Sequence, residues 1–176
     1  MTARRHLPTL ALTLLLASSP LLGATPEKGH IAVGATAGIA VPFESDYAPG
    51  FQIEANADYY LSAEFALRAT GGYMTQKADL PGDPTVSSGY LLGSAVYVWD
   101  KGTTRPYVQA GFGFHTIEPV EGGRTGRAGV HVGGGAEFLL NRRLAVVGQA
   151  LFHFVSSVGG RSSSFVGLSA GLRYHF

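Results

Sequence analysis

The sequence contains no cysteine and few charged residues. The lack of cysteine excludes disulfides, thiolate zinc sites and cysteine nucleophiles. Charged residues occupy 14% of the 176 positions, compared with about 25% in an average soluble domain. The 13 basic and 12 acidic residues give a net charge of +1, which argues against nucleic acid as a partner. A soluble domain of this length normally displays more charge on its surface.

Long hydrophobic runs are also missing. The apolar run at positions 7–17 is too short for a membrane-spanning helix, which needs about 20 residues. It follows Arg4 and Arg5 and precedes small residues and a polar stretch, which is the pattern of a secretory signal peptide. We therefore expect residues 1–24 to be a signal peptide cleaved after Ala24. An uncleaved anchor helix is the alternative.

The remainder is long enough for one domain. We expect residues 25–29 to form a short N-terminal segment and residues 30–176 a single domain. Cleavage removes two arginines, so the mature chain carries 11 basic and 12 acidic residues, a net charge of −1. Glycine supplies 25 of the 176 residues, roughly twice its usual share, but it follows no collagen-like period. The 45% hydrophobic content excludes a disordered chain.

Apolar residues alternate with small or polar ones throughout the expected domain. In positions 51–60, Phe, Ile, Ala, Ala and Tyr alternate with Gln, Glu, Asn, Asp and Tyr. Such a period of two indicates a β-strand, because a helix would scatter these residues around its circumference. In the fourth segment both faces are largely apolar, so its register stays open. Eight such segments occur, at 31–41, 51–60, 65–73, 86–99, 107–115, 130–138, 146–154 and 166–176.

The connections between these segments alternate in length. The short ones lie near 61–63, 100–104 and 141–143. The longer ones are rich in turn-forming residues and lie near 42–50, 75–85, 117–127 and 156–163. This rhythm is typical of an up-and-down meander whose two ends face different environments. The sequence therefore predicts an all-β fold, an eight-stranded antiparallel up-and-down transmembrane β-barrel with both mature termini in the periplasm.

The polar faces of the segments carry too few charges for a surface in water. They suit the lumen of a narrow closed barrel, where small residues let opposite walls approach and a few charges pair. We expect this lumen to be a structural plug, because eight strands enclose a space that side chains fill. An ion or proton path is the alternative. The predicted lumen network consists of Glu54, Asp58, Arg68, Gln109, Glu137, Gln149 and Arg173.

Aromatic residues bracket the second and third segments. Eight residues span about 26 Å along a strand, or about 20 Å once the strand is tilted. This distance places the rings near the edges of an apolar band about 25 Å tall, where aromatic side chains favour the membrane–water boundary. Ordinary core aromatics of a soluble barrel are the alternative. The predicted aromatic girdle consists of Phe51, Tyr59, Phe65 and Tyr73.

The chain closes on an alternating strand that ends in phenylalanine, with Leu168, Ala170, Leu172, Tyr174 and Phe176 on one face. This strand resembles the closing strand of bacterial outer-membrane barrel proteins. The stretch RPYVQAGFGF at 105–114 is similar to a recurring strand of the small OmpA/OmpX-type barrel domains, and the resemblance covers about residues 30–176. It implies residence in the outer membrane, and it implies that the terminal strand is the signal read by the barrel-assembly machinery.

Chemical sites are weakly indicated. His115, His131 and His153 share the predicted inward face, but their spacing is not that of a tight metal site, so we expect no metal and no cofactor. His153 with Ser156 or Ser157 only loosely resembles the His-x-Ser arrangement of outer-membrane lipid A deacylases, because position 155 is valine. A serine hydrolase also needs an acid that orients the histidine. We therefore expect no enzymatic activity.

The expected role is structural or surface-interacting, with any specificity in the external loops. These loops carry mixed charges that name no partner. We expect contact with outer-membrane lipid and lipopolysaccharide, with Arg124, Arg127 and Arg161 as candidate phosphate contacts. We also expect transient contact with the assembly machinery and a monomeric state. The alternatives are a narrow channel for ions or small hydrophobic solutes and a lipid-modifying enzyme.

Overall fold

A computed structural model describes residues 26–43, 47–77, 85–99, 102–118, 123, 125–156 and 164–176. The predicted signal peptide, part of each longer loop, Ser157, Arg124 and Arg161 lie outside these residues. Among the described residues no helix is long and apolar enough to cross a membrane. The eight strands are β1 (Ile31–Pro42), β2 (Gly50–Tyr60), β3 (Phe65–Lys77), β4 (Thr85–Val98), β5 (Thr104–Glu118), β6 (Thr125–Leu139), β7 (Leu144–Val155) and β8 (Phe165–His175).

The strands form one closed barrel in chain order. Each strand pairs antiparallel with the next, and β1 closes the ring on β8 over the register Ala32↔His175 to Pro42↔Phe165. Closure gives both edges of every strand a hydrogen-bonding neighbour, as a strand in hydrocarbon requires. The predicted fold class, an eight-stranded antiparallel β-barrel, is confirmed.

The two ends of the barrel differ. At the turn end, short connections join β2 to β3, β4 to β5 and β6 to β7, and residues 26–30 and Phe176 also lie there. In the third of these turns the Asn141 side chain accepts hydrogen bonds from the backbone N–H groups of Arg143 and Leu144, which is an Asx-type turn. The four longer connections form the loop end.

Strands extend further into the loop end than the sequence predicts. The ladder between β3 and β4 continues to the pair Lys77↔Thr85, and that between β5 and β6 continues to Ile117↔Thr125. Predicted loops at 75–85 and 117–127 are therefore too long. The reason is that backbone pairing can continue where side-chain alternation has already ended.

Side chains alternate strictly between lumen and exterior, and this settles the register of β4. Tyr90, Leu92 and Ser94 are buried in the lumen, whereas Leu91 is 65% exposed. The alternation was hidden because the lumen itself holds an apolar layer near the turn end. That layer contains Ala32, Tyr60, Ala66, Val96, Val98, Tyr107 and Val147.

Inward-facing glycines make room for large side chains of neighbouring strands. A Cβ built on Gly72 would lie 2.2 Å from the Tyr90 ring, and one built on Gly135 would lie 2.9 Å from the Tyr107 hydroxyl. Both distances are too short for a real contact, so each tyrosine fits because its neighbour has no side chain. Part of the glycine excess therefore lets tyrosines enter the lumen.

Candidate functional site

The turn-end half of the lumen contains a buried ion pair between β2 and β3. Asp58 and Arg68 are directly paired across the two strands. Arg68 donates from Nε to Asp58 Oδ1 at 2.7 Å and from Nη2 to Oδ2 at 2.8 Å. Its Nη1 donates to Gln109 Oε1 on β5 at 3.0 Å. The guanidinium thus holds both carboxylate oxygens, the geometry that stabilises buried charge best.

A second cation joins this pair from the last strand. Arg173 on β8 donates from Nη1 to Glu137 Oε1 of β6, and the same nitrogen lies 3.4 Å from Asp58 Oδ2. Its Nη2 donates to Asn56 Oδ1 at 3.0 Å. The other Glu137 oxygen lies 3.2 Å from His175 Nε2. Arg173 therefore links two carboxylates that no single strand pairing connects.

Glu54 is the centre of a polar cluster nearer the loop end. Its carboxylate accepts hydrogen bonds from Tyr90 Oη at 2.8 Å, Gln149 Nε2 at 2.7 Å and Thr36 Oγ1 at 3.0 Å. Ser169 Oγ adds a longer contact at 3.4 Å. These donors come from four different strands. Hydrogen-bond donors offset the desolvation of a buried carboxylate that has no cation in contact.

Tyr107 bridges the two clusters. Its hydroxyl donates to Gln149 Oε1 at 2.8 Å. The guanidinium carbons of Arg68 and Arg173 lie 4.9 and 5.7 Å from the centre of its ring, within the range of cation–π attraction. The charged and polar side chains therefore form one connected network across the lumen.

The structure brings all seven predicted lumen residues into this network. Each of them is buried, and each has at least one hydrogen bond or ion pair with another lumen side chain. Sequence reasoning missed members whose hydroxyl, amide or imidazole groups were less conspicuous than charges, or that lay in the ambiguous fourth segment. It missed Arg105 because the fifth segment was predicted to begin only at position 107. The missed residues that bond to the network or are buried beside it include Thr36, Asn56, Tyr90, Arg105, Tyr107, Ser169 and His175.

Three histidines form a separate group in the half of the lumen nearer the loop end. The centres of the His153 and His115 rings are 5.7 Å apart, those of His153 and His131 are 5.9 Å apart, and His153 stacks on Phe165 at 4.3 Å. His131 Nε2 lies 2.7 Å from Ser94 Oγ. Within the described ranges, no three side chains of the metal-ligating types are arranged to hold an ion. We refer to His115, His131 and His153 as the histidine cluster.

The geometry around Ser156 does not pair it with His153. His153 is fully buried in the lumen, whereas the exposed Ser156 hydroxyl donates to the Ala128 carbonyl at 2.9 Å. The described residues therefore contain no hydrogen bond between this serine and this histidine. The arrangement lacks the contact that activates a serine nucleophile.

The turn end carries a further histidine pair. His30 Nε2 lies 3.3 Å from His175 Nδ1, and its ring packs edge-on against Tyr60. Partial burial lowers the pKa of His30, and the nearby His175 and Arg105 lower it further. His30 precedes β1, so it lies at the boundary between the barrel and the N-terminal segment.

The outward surface carries the predicted girdle and terminal-strand residues. Phe51 and Tyr73 lie towards the loop end, and Tyr59 and Phe65 lie at the turn end, each about half exposed. The Phe65 ring packs edge-on against Tyr97 at 4.9 Å. Along β8 and the final residue, the outward or partly exposed positions include Leu168, Ala170, Leu172, Tyr174 and Phe176.

No protein-family model matches the sequence, and no curated protein matches it. Solved structures do resemble the fold. Neisserial surface protein A has a TM-score of 0.67 and 22% identity, covering 83% of this chain and 97% of its own. The N-terminal β-barrel domain of Pseudomonas aeruginosa OprF has a TM-score of 0.61 and 14% identity, covering 86% and 100%. The outer-membrane enzyme PagL has a TM-score of 0.52 and 14% identity, covering 80% and 97%. The chain therefore shares its fold with eight-stranded outer-membrane barrels of differing roles.

Proposed function

We propose that this chain is an integral protein of the bacterial outer membrane, with the barrel in lipid and the longer loops at the cell surface. The observation that carries the proposal is the apolar exterior. Phe112 is 70% exposed, Phe114 67% and Leu91 65%. Apolar surface in water costs roughly 25 cal/mol per Å², whereas lipid solvates it. The fold shared with outer-membrane barrels supports the same location.

The proposed role is structural or surface-interacting, without an open pore. The Asp58–Arg68 pair and Arg173 are buried in the turn-end half of the lumen, and the Glu54 cluster is buried in its middle. A continuous water path would have to break several charge-assisted hydrogen bonds. The network therefore supports a plug rather than a channel, and specificity falls to the loops.

The proposed partners follow from the location. Outer-membrane lipid and lipopolysaccharide surround the monomeric barrel, and the assembly machinery reads the terminal strand. Of the three loop-end arginines considered for lipopolysaccharide phosphates, Arg127 is on the lumen side, half-buried, and donates to the Ser156 carbonyl at 3.3 Å. This orientation makes it a poor contact, so the phosphate contacts fall to Arg124 and Arg161. We propose no enzymatic activity; of the two candidate serines the structure describes only Ser156, whose hydroxyl donates to the Ala128 carbonyl and not to His153.

Cell fractionation combined with gel migration tests the location. The protein should fractionate with the outer membrane, and its migration on a detergent gel should change on boiling, because a closed barrel resists unfolding by detergent alone. Recovery only in the soluble periplasm would contradict the proposal.

Planar-bilayer recordings test the closed lumen. Folded protein at neutral pH should give no stable, large conductance. The D58N/R68M variant lacks both charges of the Asp58–Arg68 pair, and its conductance is compared with that of the wild type under the same conditions. Stable conductance from the wild type would favour the channel alternative. Incubation with lipopolysaccharide followed by assay for released acyl chains tests the enzyme alternative in the same preparation.

A further inference from the structure

The histidine cluster brings five unmatched ring nitrogens together in one part of the lumen, whereas other unmatched atoms, such as Gln52 Oε1 and Tyr60 Oη, occur singly. His153 is fully buried, and His115 and His131 are 1% and 3% exposed. Both ring nitrogens of His115, both of His153 and Nδ1 of His131 have no hydrogen-bond partner among the described protein groups. Every neutral imidazole carries one donor and one acceptor, and burying them unmatched is costly. The closed barrel thus carries a cost here that apolar residues of similar size would avoid.

No carboxylate faces the cluster directly within the part of the chain that the structure describes. Among the described residues, Glu54 is connected to the cluster through Tyr90, whose ring lies 5.4 Å from that of His115 and 5.6 Å from that of His153. The other charged neighbour is a cation, Arg127, which is paired with His115 across β5 and β6. The remaining strands contribute uncharged lumen side chains at this level, namely Ala40, Gln52, Met74, Ser88 and Phe165.

Adding protons to this cluster therefore places like charges close together, with no carboxylate of the described residues against them. Imidazole gains a proton near pH 6.5 in water, and a conformation in which the rings meet water accepts protons more readily than the closed one. By linkage, a state that binds more protons is favoured as the pH falls.

We propose that the histidine cluster makes the loop-end half of the barrel an acid-responsive element. At neutral pH the three imidazoles are neutral and this half is closed. In acid they become charged, and β5, β6 and β7 loosen near the loops to hydrate them. The ion pairs of Asp58, Arg68, Glu137 and Arg173 lie in the turn-end half and hold that half in place. This goes beyond the proposed structural role, and it does not depend on which partner the loops bind.

Amide hydrogen exchange of the folded protein in detergent micelles tests the proposal. After correction for the intrinsic effect of pH, protection of residues 129–132 should fall about tenfold between about pH 7.5 and about pH 5. Protection of residues 95–98, at the turn end of β4 and away from His30, should not change. In an H115Q/H131Q/H153Q variant the fall should disappear. The matched control H30Q, which removes a histidine at the other end, should keep it.

Either of two exchange results would overturn the proposal: wild-type protection that ignores pH, or an equal fall in the triple variant. Should the triple variant not fold, NMR titration of the wild-type imidazoles gives the answer. The proposal expects the three rings to gain protons together with the loss of protection. Rings that stay neutral at about pH 5 would contradict it.

Discussion

Arg68 holds both carboxylate oxygens of Asp58 through two hydrogen bonds of 2.7 and 2.8 Å. The two residues face each other across β2 and β3, and both are almost completely buried. Strand register therefore brings the two residues together, and their ion pair stabilises the lumen.

Removing one member of this pair should be far more harmful than removing both. The D58N and R68M variants should each lose about 3–5 kcal/mol of unfolding free energy, because each leaves a buried charge short of its partner. The D58N/R68M variant should lose much less than the sum. Urea unfolding followed by gel migration measures all three. Additivity within about 0.5 kcal/mol would show that the two residues act independently.

A methyl group at Gly72 should disturb the Glu54 cluster. The added Cβ would meet the Tyr90 ring at 2.2 Å and push its hydroxyl away from Glu54. We expect G72A to lose about 1–3 kcal/mol, the usual cost of overpacking. The adjacent G71A is the matched control, because nothing lies within 4 Å of its added Cβ. Equal stability of G72A and the wild type would show that Tyr90 has room to move.

A charge on the apolar exterior should oppose membrane insertion. Phe112 lies near the middle of β5 and is 70% exposed. In lipid, F112R should cost about 2–4 kcal/mol, seen as lower folding yield into vesicles. E64R, in an exposed turn, should fold like the wild type. A protein whose exterior faces water would instead tolerate F112R or become more soluble.

The lowered pKa of His30 should make stability depend on pH near neutrality. The unfolded chain binds a proton below the ordinary value of 6.5, whereas folded His30 resists it. The contribution of His30 to the unfolding free energy is therefore complete above that pH. It is lost as the pH falls towards the lower pKa that His30 has in the folded state. Unfolding of H30Q and the wild type should be compared from about pH 8 to about pH 5. H30Q should gain relative stability in acid, and a constant difference would contradict this.

Sequence alternation was sufficient to predict the strand number, the facing of seven segments and the polar lumen. In most of those strands one face is apolar and the other is mainly small or polar, so the period of two is visible. β4 differs, because Val96 and Val98 face an apolar layer inside the barrel. Alternation cannot orient a strand that has apolar residues on both faces.

The contacts within the lumen could not be predicted in the same way. Glu54 meets Gln149, 95 positions away, and Arg173 meets Asn56, 117 positions away. Such contacts depend on how strand stagger brings opposite walls together, which local pattern does not encode. The requirement for glycine at position 72 could not be predicted either, because it comes from the Tyr90 ring on the next strand.

Arg173 also connects the charge balance of the interior with the closure of the barrel. The charged side chains buried in the described strands are three carboxylates and three guanidiniums, Glu54, Asp58, Glu137, Arg68, Arg105 and Arg173. Seven strands alone leave this interior one positive charge short. The eighth strand supplies that charge in the same step in which it closes the ring on β1. Neutralisation of the buried charges and closure of the ring therefore depend on the same strand.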